Sequence, residues 1–184
     1  MNPERFKYLE VQALGTEQGR KILSWADTLG PCTSARDFFA EFVWVVMCSG
    51  VREEIARIME RKYWETGVCR HKGKARAIAM MRSMMPGAWE VYRRLRGDAE
   101  RLAFIRKFPY MRGKALCFQF AKNLGMVDFC KPDMHLCKLA DERLHFPGGP
   151  QGMCEALADE FGITVAYVDT AIWFFCKKQW DCLG

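Results

Sequence analysis

Residues 108–139 read FPYMRGKALCFQFAKNLGMVDFCKPDMHLCKL, and this stretch decides how the rest of the chain is interpreted. Pro109 interrupts the helical pattern that precedes it. A helix is then predicted over about 113–124, with Gly125 as its C-cap. A second helix is predicted over 132–144, because a proline and an aspartate commonly begin one. The stretch therefore predicts two helices, each entered from a short turn.

Helical periodicity extends over nearly the whole chain, and strand patterns are almost absent. The segment ARDFFAEFVWVVMC at 35–48 is strongly apolar and is predicted to be the central buried helix. In the next segment, VREEIARIMERKYWE, we expect Ile55, Ile58 and Met59 to face the core. Other helices are predicted at about 3–15, 16–30, 74–85, 88–97, 98–108, 151–161 and 164–179, with Thr16, Ser34 and Thr164 preceding helices as candidate N-caps. The fold class predicted from these patterns is all-α.

The composition is that of a folded protein with a slight excess of positive charge. Half of the 184 residues are hydrophobic and 27% are charged, which excludes a disordered chain. This length suits one compact domain or two small helical lobes. The formal net charge of +6 is compatible with a phosphate-binding face but does not by itself specify a nucleic-acid partner.

The nine cysteines are scattered through the chain, several of them inside apolar helical runs. An odd number without a secretion signal is typical of reduced thiols, and the absence of a CxxC pair argues against zinc. We therefore expect no metal site. The N-terminus carries no apolar targeting stretch, and the longest apolar run, 42–48, is too short to span a bilayer. The expected protein is soluble, cytoplasmic or nucleoid-associated (nuclear in a eukaryote), not secreted and not bound to a membrane.

Lys114 and Asp133 lie nineteen residues apart, each at the start of a predicted helix. An aspartate at a helix N-terminus is held by backbone N–H groups and by the helix dipole, so it stays ionised. A lysine at such a position, next to Arg112, has its positive charge disfavoured. The neutral amine is a nucleophile that can form a Schiff base with C1′ of a sugar, and a carboxylate can stabilise a cationic sugar. The alternatives are a solvated lysine and an aspartate that only caps its helix.

The same residues resemble a known family. The segment FPYMRGKA at 108–115 resembles the hairpin of helix-hairpin-helix DNA glycosylases, commonly written L-P-G-V-G-x-K-x-A. The segment KPDMHL at 131–136 resembles the V-D-x-H-V segment of that family, and the lysine–aspartate separation is similar to that of its 8-oxoguanine branch. Residues 42–58 and 71–78 look like further family helices. The resemblance covers roughly residues 38–145, and more faintly the last helix.

The resemblance implies the two-lobed all-α fold of the helix-hairpin-helix (HhH-GPD) glycosylases. One lobe would comprise about 35–108, the other about 109–184 together with the N-terminal helices, with a DNA-binding cleft between them. Lys114 would be the Schiff-base nucleophile of a glycosylase with AP-lyase activity, and Asp133 the essential carboxylate. The enzyme would act as a monomer on double-stranded DNA with a flipped modified base, and it would need no cofactor.

The resemblance also implies DNA contacts. The backbone of residues 110–114 would bind a phosphate, His135 would help to position the strand, and Arg52 would fill the gap left by the extruded base. The full set of expected hairpin contacts is Tyr110, Met111, Arg112 and Gly113. Lys72, Lys74 and Arg76 are candidates for further phosphate contacts, with a solvated charged face as the alternative. Trp44, Trp173 and Phe174 are candidate walls of a base pocket, with core packing as the alternative.

Two hairpin positions depart from the family pattern. The hairpin normally carries two glycines, which permit positive φ and a close approach to phosphate. Tyr110 and Arg112 stand in those places, and only Gly113 remains. Either the hairpin is reshaped or Arg112 supplies the phosphate contact directly. Two alternatives to base excision stay open: a glycosylase-fold transferase acting on hypermodified thymine in viral DNA, and a non-catalytic DNA-binding module.

Overall fold

The computed structural model describes residues 1–180, apart from the side chains of residues 114, 142, 143 and 178–180. These residues form ten α-helices and one π-helical segment, and they contain no strand, so the all-α prediction is confirmed. No helix in this part of the chain is long and apolar enough to cross a bilayer. The elements are α1 Pro3–Leu14, α2 Glu17–Asp27, α3 Ala35–Cys48, α4 Glu53–Thr66, α5 Lys72–Tyr92, α6 Asp98–Ile105, α7 Lys114–Asn123, α8 Met134–Cys137, π1 Lys138–Arg143, α9 Gly149–Phe161 and α10 Val165–Trp180.

The helices divide into two compact units. The first unit comprises Met1–Gly30 and the chain from Gly125 onward, and the second comprises Pro31–Leu124. The division after Leu124 differs from the expected boundary near residue 108, and it places α7 with the central helices. The physical reason is aromatic packing, because Phe120 of α7 lies against Phe38 and Phe42 of α3 with ring centroids 5.2 and 5.8 Å apart.

The second unit is built around α3, whose buried side chains include Phe38, Phe42 and Met47. Its neighbour α5 continues through Pro86, so the predicted helix end at Pro86-Gly87 is wrong. Aromatic contacts beyond the proline hold the last turns in place. The Phe38 ring packs against Tyr92 at 4.7 Å and against Trp89 at 5.8 Å between centroids. Tertiary packing therefore outweighs the local cost of a proline within the helix.

Helix α4 turns a different face to the core from the one predicted. Its buried residues are Ala56 and Tyr63, whereas Ile55 and Ile58 are 49% and 42% exposed. Met59 is half-buried. The prediction for the two isoleucines is wrong because α4 carries apolar residues on more than one side, and the sequence pattern alone does not say which side meets α3.

The first unit joins the N-terminal helices to the C-terminal ones. Its core combines Phe6 of α1 and Leu23 of α2 with residues from α8, α9 and α10. The rings of Phe6 and Phe161 lie 5.4 Å apart. At the edge of this core, the Tyr167 hydroxyl donates to a carboxylate oxygen of Glu10 at 3.0 Å, which ties α10 to α1.

Side-chain caps fix where several helices begin. The Thr16 hydroxyl accepts a hydrogen bond from the Gly19 N–H at 3.0 Å, and the Ser34 hydroxyl accepts one from the Asp37 N–H at 3.0 Å. The Thr164 hydroxyl accepts from the Tyr167 N–H at 3.1 Å. These N-cap predictions are confirmed, because each side chain satisfies a backbone donor that the helix leaves unpaired.

No cysteine in the described part of the chain forms a disulfide, and Cys117, Cys130 and Cys154 are buried. They behave as small hydrophobic side chains in the helical cores. Cys182 lies outside the described residues.

Gly19 is predicted to be the glycine of the first unit that tolerates a side chain least. A Cβ added there would lie 2.0 Å from the Ala13 carbonyl oxygen, so Gly19→Ala must push α2 away from α1. We expect the free energy of unfolding to fall by about 2 kcal/mol. Gly30→Ala is the control, because a Cβ at Gly30 meets nothing within 4 Å. Urea denaturation measures both, and equal midpoints would contradict the prediction.

Candidate functional site

The hairpin between α6 and α7 contains a left-handed residue at Tyr110, where the family pattern that it resembles has a glycine. Tyr110 adopts φ +69°, the backbone region that normally favours glycine. Its hydroxyl oxygen lies 2.8 Å from the position that a Cβ would take on Gly73, in the first turn of α5. Gly73 therefore provides the space that the tyrosine side chain needs.

The N-terminus of α7 is open to solvent. Arg112 and Gly113 are exposed, and a Cβ on Gly113 would meet nothing within 4 Å. Gly113 is the N-cap residue, and no side chain in the described part of the chain caps this helix. Helix α7 begins at Lys114, as expected, while the Lys114 side chain lies outside the described residues. An uncapped helix start presents backbone N–H groups that favour an anion.

The prediction that Met111 contacts DNA is wrong, because this residue packs inside the hairpin. Its side chain is fully buried. Its backbone N–H donates to the Phe108 carbonyl at 3.1 Å, so this donor is already used within the turn. The hairpin surface that remains for a phosphate is formed by Arg112 and Gly113 and by the first turn of α7.

Lys74 is also not the phosphate contact that the sequence suggested. It is only 2% exposed, and its Nζ donates to the Met47 carbonyl oxygen at 2.7 Å. That carbonyl lies in the last turn of α3, where backbone acceptors lack partners within the helix. Burial lowers the pKa of the Lys74 ammonium below its ordinary value. Lys74 thus ties the start of α5 to the end of α3, a role that its place in a basic sequence run did not reveal.

Other predicted cations in the second unit do remain at the surface. Lys72 and Arg76 are exposed at the start of α5, which His71 caps by accepting the Lys74 N–H at 3.3 Å. Arg52 is exposed and is the N-cap residue of α4, two residues after Gly50 at φ +68°. Their roles in binding a phosphate or filling a base gap stay predictions.

The three aromatic candidates for a base pocket differ in their surroundings. Phe174 is buried in the core of the first unit, so the prediction that it forms a wall of a base pocket is wrong. Trp173 is half-buried, and the Lys177 ammonium lies 5.1 Å from its ring centroid. Trp44, in the second unit, is half-buried beneath the guanidinium of Arg57 at 5.1 Å. Each tryptophan ring thus already makes a cation–π contact, with which a stacked base would compete.

Asp133 is the N-cap of α8, as predicted. Its Oδ1 accepts hydrogen bonds from the N–H groups of His135 at 2.9 Å and Leu136 at 3.1 Å. Its Oδ2 lies 3.7 Å from Nζ of Lys131, and 12% of the side chain is exposed. One carboxylate oxygen is thus committed to the helix, while the other faces a cation. Helix α8 is a single turn followed by π1, so the predicted α-helix to residue 144 is shorter than expected.

Sequence reasoning missed Asp169, a buried acidic residue of α10. It is 1% exposed, and its Oδ2 accepts a hydrogen bond from the Lys131 N–H at 3.1 Å, two residues before Asp133. The only sequence signal was an acidic residue within the apolar segment VAYVDTAIWFF. Such a residue is unusual in a buried helix and requires a polar partner.

The two proposed reactive residues belong to different units, Lys114 to the second and Asp133 to the first. Each has the local setting that the sequence predicted, the start of a helix. Comparisons of this chain with protein-family models, with curated proteins and with solved structures found no match.

Proposed function

We propose that this protein is a DNA glycosylase with AP-lyase activity, built on a helix-hairpin-helix and excising a modified base. The observation that carries the proposal is the hairpin itself. Its turn retains a left-handed residue at Tyr110, and it leads through exposed Gly113 into an uncapped helix that begins at Lys114. This arrangement would present backbone N–H groups to a DNA phosphate and the lysine to the adjoining sugar.

The second support is the environment of Asp133. Two backbone N–H groups hold Oδ1, and the Lys131 ammonium faces Oδ2. Such a carboxylate suits a reaction in which positive charge develops on a sugar. The proposal requires Asp133 and Lys114 to act on the same deoxyribose.

The reaction follows from the two groups. With the target nucleotide extruded from the duplex, Asp133 would stabilise the positive charge that develops as the C1′–N bond breaks. The Lys114 amine would attack C1′, and the base would leave with the bonding electron pair and take up a proton. Opening of the sugar ring would give a Schiff base between lysine and C1′. Loss of a C2′ proton would then expel the 3′ phosphate and break the strand, and hydrolysis would free the lysine.

A screen of duplex oligonucleotides, each carrying one modified purine or pyrimidine, tests this proposal. With the correct base, we expect a free base, a cleaved strand, and a covalent protein–DNA adduct after borohydride reduction. Base release without an adduct would leave a glycosylase without lyase chemistry. Normal DNA binding with no product across the panel would overturn the proposal and favour a binding module. Mass spectrometry of digested DNA incubated with amine donors would identify a transferase.

Arg112→Gln is expected to weaken DNA binding severalfold and equally for all sequences. An exposed arginine next to an uncapped helix start is suited to one phosphate contact, so the slope of log affinity against log salt should fall by about 1. Arg94→Gln is a matched control. Arg94 is exposed just beyond the C-terminus of α5, about 30 Å along that helix from Gly73, which contacts the hairpin. Fluorescence anisotropy at several salt concentrations measures both, and identical slopes would refute the contact.

A further inference from the structure

Hydrogen bonds from α9 and α10 hold the loop that precedes α8, residues 127–133. The Ala166 N–H at the start of α10 donates to the Val127 carbonyl at 2.8 Å. The amide side chain of Gln151 in α9 donates to the Asp128 carbonyl at 2.8 Å and accepts from the Cys130 N–H at 2.9 Å. The Asp169 carboxyl group accepts a hydrogen bond from the Lys131 N–H at 3.1 Å. Among these hydrogen bonds, the one to Asp169 lies nearest in sequence to Asp133.

Lys131 connects Asp169 to Asp133 through its own backbone. Its N–H is bound by Asp169, and its carbonyl accepts the Asp133 N–H at 2.7 Å across Pro132. The proline ring restricts φ, so little freedom remains between the two aspartates. Asp133 in turn accepts the N–H groups that begin α8. Two hydrogen bonds, at the Lys131 N–H and at the Lys131 carbonyl, thus link the buried Asp169 to the backbone of Asp133.

The burial of Asp169 supports a specific role. A carboxyl group at 1% exposure loses its hydration and is retained only where polar partners compensate. The adjacent Thr170 is similarly buried at 2%, but its hydroxyl donates to the Ala166 carbonyl within α10. The Asp169 carboxyl group instead accepts a hydrogen bond from the loop that carries Asp133.

We propose that Asp169 is a positioning residue for Asp133, holding the Lys131–Asp133 segment so that the Asp133 carboxyl group keeps one orientation at the start of α8. The proposal rests on the proposed function only for its effect on catalysis. The contact itself is a property of the free protein. Asp169 touches neither the DNA nor the reacting sugar in this scheme.

The first test uses the protein without DNA and therefore does not depend on the reaction. In Asp169→Ala, we expect amide hydrogen exchange at Lys131, His135 and Leu136 to accelerate at least tenfold. Thr170→Val, the matched buried control, should leave these amides unchanged. If Asp169→Ala fails to fold, Asp169→Asn replaces it. The NMR chemical shift of the Lys131 amide proton should then change, because its acceptor is no longer a carboxyl group. Unaltered Lys131, His135 and Leu136 amides in a folded variant would overturn the proposal.

The second test measures single-turnover base release on a substrate identified by the screen. Asp169→Ala should slow the chemical step at least tenfold with unchanged DNA affinity, and Asp169→Asn should recover part of the rate because its amide oxygen can accept the same hydrogen bond. In an Asp133→Asn background, Asp169→Asn should have no further effect, whereas a purely structural role would give additive losses. Additive losses, or a wild-type rate in Asp169→Ala, would overturn positioning. Absence of activity in the wild type, with accelerated exchange in Asp169→Ala, would uphold positioning and refute only the enzymatic function.

Discussion

Replacing Lys114 with glutamine is expected to abolish the borohydride-trapped adduct and to slow base release by at least about 10³-fold. The amine supplies the covalent bond to C1′, and an amide side chain of similar length has no comparable nucleophile. Glutamine is nearly as good a helix former as lysine, so α7 should still begin at residue 114. DNA affinity should fall only by the amount expected from the removal of one positive charge. The measurement is a single-turnover assay with denaturing electrophoresis of reduced and unreduced samples.

Lys107→Gln is the control for this experiment. Lys107 is exposed in the turn after α6, within the same hairpin, and its substitution removes the same charge. It should keep wild-type adduct formation. If Lys114→Gln still gives the adduct, another amine is the nucleophile. If it releases base at the wild-type rate without an adduct, water attacks C1′ and Lys114 has no covalent role.

Replacing Asp133 with asparagine is expected to slow base release by about 10²–10³-fold while leaving the fold intact. Asparagine caps helices as well as aspartate does, so its side-chain oxygen can still accept the N–H groups of His135 and Leu136. The substitution removes the negative charge that would stabilise the cationic sugar. The rate of the chemical step should fall, whereas the thermal unfolding midpoint should change little.

Asp133→Ala separates the two roles of this residue. It removes both the cap and the charge, so we expect the same loss of rate as in Asp133→Asn together with a loss of about 1 kcal/mol in stability. Thr164→Ala, which removes the N-cap of another helix in the same unit, should reproduce the loss of stability without the loss of rate. If Asp133→Asn keeps wild-type rates, Asp133 is a cap and nothing more.

The elements themselves could be predicted because their signals are local. Helical periodicity, the N-caps at Thr16, Ser34 and Asp133, and the helix start at Lys114 depend on residues within a few positions of one another. For the same reason, the sequence located the hairpin and both candidate reactive residues. Where the local signal was ambiguous, as for Ile55 and Ile58 on α4, the prediction failed.

The roles of individual side chains depended on partners far away in sequence. The sequence predicts that Lys74 is a surface cation, whereas its ammonium binds the Met47 carbonyl oxygen. The sequence also predicts that α5 ends at Pro86, whereas the helix continues and Tyr92 packs against Phe38. No role could be predicted for Asp169 from the sequence, because its hydrogen-bond partner, the Lys131 N–H, lies 38 residues earlier in the chain. Periodicity describes how a helix presents its faces, but it does not say which face meets which neighbour.

The sequence by itself determined an all-α protein with a lysine and an aspartate each placed at a helix start, because capping and periodicity act over single turns of backbone. Only the tertiary structure showed that Tyr110 adopts a left-handed backbone conformation and where its side chain lies. The Tyr110 hydroxyl lies beside Gly73, 37 residues earlier, where an added Cβ would be only 2.8 Å from it. The tertiary structure also decided that α7 belongs with the central helices, because the Phe120 ring packs against α3. Both outcomes follow from side-chain volumes meeting across the fold, which no local pattern encodes.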